Sequence, residues 1–382
     1  MSEAVETRAV PAHGGQLRQI AEQFAVPMNE LLDFSASIYP DGPPVGVMDS
    51  LKEAIRNPLI LRDYPDLDLR ELRTALGAYA AVHPANILVA NGVAPLIDAA
   101  LSALRSRRCL LPVPAFGEYR RVLKKCAVEI HPYHLLPELD FRPDCEQLIG
   151  ACQRHQCDTL LLTNPQNPSG ITLSAENMKD IVQRAAENKI RVLLDEAFID
   201  FVPEGSLSQD VLTFSNLIVF RSLTKFFSMA GLRVAYLIAP EHVVRVISCN
   251  LAHWPVSSVA AMAAKRATED STYITATILR NRQEREWLRA ELLSLEMTLF
   301  PGSANYLLFR LPEQLRSKSV WERLIVDHRI VVRNCASFEG LDSSYMRVSV
   351  RNRADNELLI QALSSSVASR KLKCAASSGT QI

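Results

Sequence analysis

The stretch Arg221-Ser222-Leu223-Thr224-Lys225-Phe226-Phe227-Ser228-Met229-Ala230-Gly231-Leu232-Arg233 sets hydroxyls, a lysine and an arginine just past an apolar run at 217–222. In open α/β sheets, ligands collect at the carboxyl ends of the strands. Hydroxyls and a guanidinium can hold a phosphate, and a lysine beside them can form a Schiff base with an aldehyde. Pyridoxal 5'-phosphate (PLP) carries both groups. A solvated basic turn is the plain alternative for Lys225, and it loses ground because two further segments complete the same site. Leu193-Leu194-Asp195-Glu196-Ala197-Phe198 ends an apolar run in two carboxylates. A buried carboxylate is costly unless it is paired. Asp195 facing a pyridinium nitrogen would supply that pair and keep the ring cationic, the state in which it withdraws electrons. Glu196 is the alternative partner, but Asp195 comes directly off the strand. Asn164-Pro165-Gln166-Asn167-Pro168-Ser169-Gly170 again follows an apolar run and by itself is only a turn.

The elements that must position these groups follow from periodicity. Runs at 87–90, 109–112, 159–163, 191–195 and 217–222 read as buried strands. Between them, 95–104, 118–125, 144–154 and 175–188 carry apolar residues at helical spacing, which predicts a parallel sheet covered on both faces. Residues 256–295 are nearly free of Gly and Pro and predict one or two long helices joining two domains. Strands near 305–309, 330–333 and 346–350, with helices near 320–327 and 355–366, predict a smaller α+β domain. The expected organisation is an N-terminal arm at 1–50 packing with the small domain, a large α/β domain at 51–280, a small domain at 281–370 and a flexible tail at 371–382.

The chain has 382 residues, with 42 Lys+Arg against 42 Asp+Glu. That balance removes the clustered positive charge on which nucleic-acid and anionic-membrane binding depend. The first residues lack the apolar core of a secretory signal and no stretch of eighteen apolar residues occurs, so a cytoplasmic protein is expected. Eight scattered cysteines without a C-x-x-C pair read as reduced thiols. Cys145, Cys152 and Cys157 fit no zinc spacing, and no metal site is expected.

In their order and separations, the three chemical segments resemble fold-type I PLP enzymes of the class I/II aminotransferase superfamily, over nearly the whole chain. The resemblance implies a large, mostly parallel-sheet domain plus a small α+β domain, with PLP as cofactor. It makes Lys225 the Schiff-base lysine, Asp195 the ring-nitrogen partner, and Asn167 the amide that bonds the ring 3-oxygen. Ser222, Thr224 and Arg233 become phosphate holders. Gly92, Val93 and Ala94 become a cup whose backbone amides face the phosphate at a helix N-terminus. Phe116, within Pro114-Ala115-Phe116-Gly117-Glu118-Tyr119, matches the aromatic stacked on the ring. Tyr64, within Asp63-Tyr64-Pro65-Asp66, matches a tyrosine that reaches the neighbouring subunit's cofactor phosphate, which implies a homodimer.

Within the superfamily the nearest branches are the histidinol-phosphate aminotransferases and the threonine-phosphate decarboxylases of cobalamin synthesis. His13-Gly14-Gly15, Asp33-Phe34-Ser35-Ala36-Ser37, Gly302-Ser303-Ala304-Asn305 and Arg333-Asn334-Cys335-Ala336-Ser337-Phe338 resemble the decarboxylases. Phe198 stands where the aminotransferases usually place a tyrosine that bonds the ring oxygen. This branch implies decarboxylation of O-phospho-L-threonine to (R)-1-aminopropan-2-ol O-phosphate, with phosphoserine as a competing substrate and transamination as the alternative reaction. Arg333, Arg347 and Arg351 also read directly: guanidiniums on neighbouring strands answer an anionic ligand, although each alone reads equally as an exposed strand-end charge. By resemblance Arg347 takes the substrate carboxylate, which leaves Arg333 and His13 for the substrate phosphate; Arg351 is read as substrate-binding with them. Ser37, Tyr39 and Gln16 depart from the branch, each standing where asparagine is usual, and Val93-Ala94-Pro95 replaces a more polar cup. A PLP-binding regulatory domain is the remaining alternative, but it would need a DNA-binding module, for which no room is expected before His13.

Overall fold

The structure, a computed structural model, describes residues 9–313 and 315–377. The chain divides into two units. The larger holds residues 38–282 and Pro301–Asn305. Its seven-stranded sheet runs in the order Ile87–Ala90, Ala235–Ile238, Leu217–Ser222, Arg191–Asp195, Thr159–Thr163, Arg108–Val113, Glu129–His134. All neighbours pair in parallel except at Ala235–Ile238, which runs against both of its partners. Central strands are buried along their length because helices cover both faces, and their continuous apolar runs follow from that. Leu111, Leu161, Leu193, Phe220 and Leu237 form part of the core beneath the helices Val93–Ala103 and Gly117–Lys125.

Two strands of this sheet were not legible from pattern. Glu129–His134 contains Pro132, and none of its residues is fully buried, because it lies at the sheet edge where a proline and polar side chains are tolerated. Ala235–Ile238 is only four residues long and is separated by two residues from the short 3-10 helix Ala230–Leu232. Several helices begin at a side-chain cap: Asp144 accepts from the Gln147 amide, and Ser174 from the Asn177 amide. The predicted long helices appear as Ser258–Glu269 and Ser271–Ser294, the second contributing to the smaller unit from Gln283 onward.

The smaller unit contains the described residues up to Ser37, Gln283–Phe300 and those from Tyr306 onward. It closes earlier than the expected arm at 1–50, because the helix Val45–Arg56 packs on Ser258–Glu269 within the large unit. A four-stranded antiparallel sheet runs in the order Arg333–Asn334, Tyr345–Ser349, Tyr306–Arg310, Thr298–Leu299. The strand expected at 330–333 is divided: Ile330–Val331 pairs in parallel with Leu32–Asp33, and Arg333–Asn334 pairs with Tyr345–Ser349. Trp321 meets Phe24 edge-on at 5.3 Å within a core that includes Leu307, Phe309, Met346 and Leu359. The last helix, Arg353–Ser377, runs beyond the expected end at 366 and into the expected tail; residues 378–382 of that tail lie outside the described residues. Among the described residues, no helix is long and apolar enough to cross a membrane.

Candidate active site

In the large unit the candidate residues sit where strands end and turns begin. Arg191–Asp195 delivers Asp195, which is buried (4% exposed), and its neighbour across the parallel register is Thr163. Burial pushes the Asp195 carboxyl up to about 6, opposed by hydrogen bonds from the Tyr119 hydroxyl at 2.6 Å and the Ala197 amide at 2.9 Å. Asn167 is buried in a loop closed by the Asn164 side chain, which donates to the Leu173 carbonyl at 3.1 Å and accepts from its amide at 2.9 Å. The segment 301–305 packs on this loop: the Ser303 amide donates to the Gly170 carbonyl at 2.8 Å, and a Cβ at Gly302 would stand 2.8 Å from the Ser169 carbonyl oxygen.

Leu217–Ser222 ends in the Ser222 hydroxyl, 2.8 Å from that of Thr224. Lys225, three residues on, is half-buried, and its carbonyl accepts from the Tyr39 amide at 3.0 Å. The Tyr273 hydroxyl is shared between the carbonyls of Gly42 (2.8 Å) and Phe226 (3.1 Å), so the lysine's backbone is pinned from two sides. Gly92 precedes the helix Val93–Ala103 at φ +94 and ψ 167, a region open essentially to glycine. A Cβ there would lie 2.9 Å from Nη2 of Arg233, so that guanidinium lies against the turn leading into the helix. Phe116 caps the helix Gly117–Lys125 and meets Tyr119 edge-on at 5.6 Å. Tyr64 is 79% exposed and stacks on Trp254 at 4.5 Å.

These groups fit PLP. The two hydroxyls, Arg233 and the amides of Val93 and Ala94 suit its phosphate, while Pro95 offers no amide. The buried Asp195 carboxylate suits a cationic ring nitrogen, and Lys225 suits an aldehyde.

Beside Asp195 lies a charge network that sequence reasoning did not find. Arg221 is buried; it donates to the Asp200 carboxylate and, at 2.8 Å, to Ser208 Oγ, and stands 3.7 Å from Glu196. Glu196, raised to about 7 by burial, accepts from Ser206 and the Leu207 amide at 2.7 Å each. Tyr79 donates to Asp200 at 2.6 Å. Glu196 is therefore engaged by Arg221, Ser206 and Leu207, leaving Asp195 the carboxylate that Tyr119 holds. Tyr119 also went unassigned, although its position three residues after Phe116 puts both on one helix face.

In the smaller unit Arg333 and Arg347 are direct cross-strand partners, and both are buried. Desolvation lowers both, Arg333 to about 10 with the Arg347 charge adding to the effect. Arg333 donates to the carbonyls of Pro11 (2.8 Å) and Ala12 (2.6 Å) and to Ser337 Oγ (2.7 Å), gripping the chain just before His13. Gly14 lies so close to the Ser35 carbonyl that a Cβ would stand 2.1 Å from its oxygen, and the Gly15 amide donates to Ser35 Oγ at 2.8 Å. Arg347 donates to the Ser35 carbonyl at 3.0 Å and lies over the Tyr306 ring. Arg351 is engaged elsewhere, pairing with Asp355 at 2.9 Å and donating to the Asp33 carbonyl at 3.0 Å. Ser37 sits at φ +44 and its amide donates to Ser349 Oγ at 2.7 Å; asparagine, usual in the branch, tolerates that backbone region better than serine. Gln16 stands at the start of the helix Leu17–Phe24.

The fold is that of the fold-type I PLP-dependent enzymes. The chain belongs to the Aminotransferase class I and II family, matched over residues 29–363, and its cofactor is PLP. It is 36% identical to the threonine-phosphate decarboxylase of Salmonella typhimurium, over 92% of this chain and 95% of that one. It is 28% identical to the L-serine phosphate decarboxylase of Sulfurospirillum multivorans, over 80% of each. Among solved structures, the histidinol-phosphate aminotransferase of Clostridium acetobutylicum matches with a TM-score of 0.82 at 29% identity, over 89% of this chain and all of that one.

Proposed function

We propose that this PLP-dependent enzyme is a carboxy-lyase that converts O-phospho-L-threonine to (R)-1-aminopropan-2-ol O-phosphate and carbon dioxide in cobalamin biosynthesis, with phosphoserine as a second substrate. The observation that carries the reading is the Arg333–Arg347 pair. Two buried guanidiniums opposite one another cost free energy that an anion would recover. A phospho-amino acid brings two anions. Arg347 takes the carboxylate, and Arg333 with His13 takes the phosphate; Arg351, also read as substrate-binding, is already answered by Asp355. Likeness to two decarboxylases of phosphorylated amino acids supports loss of carbon dioxide, as does Phe198, which lacks the hydroxyl of the aminotransferases' tyrosine. Phosphoserine follows because a missing methyl changes discrimination by only about 1–3 kcal/mol.

When bound, PLP withdraws electrons from the bonds at Cα of the amine attached to it. The protein decides which bond is exposed to that pull: Arg347, by gripping the carboxylate, orients the bond from Cα to that group. Asp195 holds the ring-nitrogen proton and Asn167 the ring oxygen. Lys225 Nζ returns a proton to Cα once carbon dioxide has left. Tyr64, 79% exposed, serves a second copy of the chain.

The alternative is transamination, supported by likeness to the Clostridium aminotransferase. The deciding experiment incubates the holoenzyme with phosphothreonine, phosphoserine or histidinol phosphate, with and without 2-oxoglutarate. One carbon dioxide per amine phosphate, independent of 2-oxoglutarate, is expected. Glutamate formation without gas would assign the aminotransferase reaction instead.

A further inference from the structure

Two donors hold the Asp195 carboxylate, and a third group backs one of them. The Ala197 amide donates to Oδ1 at 2.9 Å and the Tyr119 hydroxyl to Oδ2 at 2.6 Å. Thr163 Oγ1 donates in turn to the Tyr119 oxygen at 3.1 Å, so the phenol accepts on one side and donates on the other. Thr163 and Asp195 are register partners on adjacent parallel strands, whereas Tyr119 comes from the helix Gly117–Lys125. Tyr119 is itself buried (3% exposed), and its ring is braced edge-on by Phe116. A separation of 2.6 Å is that of a charge-assisted bond from a hydroxyl to a carboxylate. Donation from Thr163 polarises the phenol and strengthens its bond to Asp195.

We propose that Tyr119, backed by Thr163, is a positioning residue for the cofactor's ring nitrogen, acting through Asp195 by keeping that carboxylate ionised and fixing its orientation. The inference rests on the reading of Asp195 as the ring-nitrogen partner. Desolvation drives Asp195 toward its neutral form, and a neutral acid cannot pair with a cationic nitrogen. The phenol opposes that drive from a position where it need touch neither the substrate nor the reacting atoms.

Tyr119→Phe removes one oxygen and keeps the ring that Phe116 braces. The apoprotein of this variant is expected to bind PLP roughly ten- to a hundredfold more weakly, the loss of one hydrogen bond to a charged group. Thr163→Val should weaken binding in the same direction by less. A simple packing role would add its loss to that of any other variant, so the Asp195→Asn background separates the two. There, Tyr119→Phe should cost less than about threefold further, because its effect runs through a charge that is already gone. Affinities are read by fluorescence titration of apoprotein, and the visible band of bound PLP should shift in Tyr119→Phe toward that of Asp195→Asn. Unchanged PLP affinity in Asp195→Asn alone would remove the reading of Asp195 and this inference together. Weakened binding in Asp195→Asn with no loss in Tyr119→Phe, or with losses that add, would overturn the role of Tyr119 alone.

Discussion

Gly92→Ala should separate the stability of the fold from its hold on the cofactor. Gly92 lies at φ +94 and ψ 167, and alanine in that region costs about 1–3 kcal/mol of strain. The added Cβ would also stand 2.9 Å from Nη2 of Arg233. The far end of an arginine moves easily, so this contact adds little to the folding cost, but the displaced guanidinium is one proposed for the cofactor phosphate. One charge-assisted hydrogen bond is worth about 1.5–3 kcal/mol, or roughly ten- to a hundredfold in affinity. The expected outcome is an apoprotein melting a few degrees lower and a PLP dissociation constant raised roughly ten- to a hundredfold, read by fluorescence titration. In an Arg233→Ala background, Gly92→Ala should keep its melting cost and lose its affinity cost. A lowered melting point with unchanged PLP affinity in the otherwise native protein would refute the placement of Arg233 in the phosphate cup.

Other outcomes follow from the charges. PLP affinity should fall as pH drops through about 6, because Asp195 gains its proton there and its pairing with a cationic ring nitrogen is then lost; titrations between pH 5 and 8 check this. The apo fold responds in the opposite sense: a carboxyl raised from 3.8 to about 6 contributes stability that is full below 3.8 and lost as pH rises through 6. Arg221→Leu should destabilise the protein by about 3–5 kcal/mol at pH 8 by leaving Asp200 and Glu196 buried without their cation, and by less at pH 6, below the Glu196 value of about 7; thermal melts at the two pH values read it. Arg333→Ala should raise KM for the phosphorylated substrate roughly tenfold or more while the spectrum of bound PLP stays intact, and steady-state kinetics on phosphothreonine and threonine show whether the preference for phosphate survives.

The cofactor segments were legible because each is contiguous: an apolar run followed at once by the side chains that do chemistry, as in 193–198 and 221–233. Strand character, turn chemistry and the type of reacting group are local properties, and a reader of residues recovers them. The family resemblance rests on the same local strings. Alternation of short apolar runs with helical spacing likewise determined a mostly parallel sheet, since period and hydrophobicity select the element before any packing is known.

Pairings across distance belonged to the tertiary structure. Tyr119 reaches Asp195 from the helix that follows Arg108–Val113, a strand two places away in the sheet, and nothing in Gly117-Glu118-Tyr119 announces that partner. Arg333 and Arg347 oppose each other through the register of an antiparallel pair, whereas Arg351, read with them as one set, is drawn off to Asp355. The edge strand Glu129–His134 carries no strand pattern because one side of it has no neighbour to enforce burial. Residue type states which charges and hydroxyls are available. Only the folded chain, by deciding which acceptor lies within about 3 Å of which donor, decides how each is used.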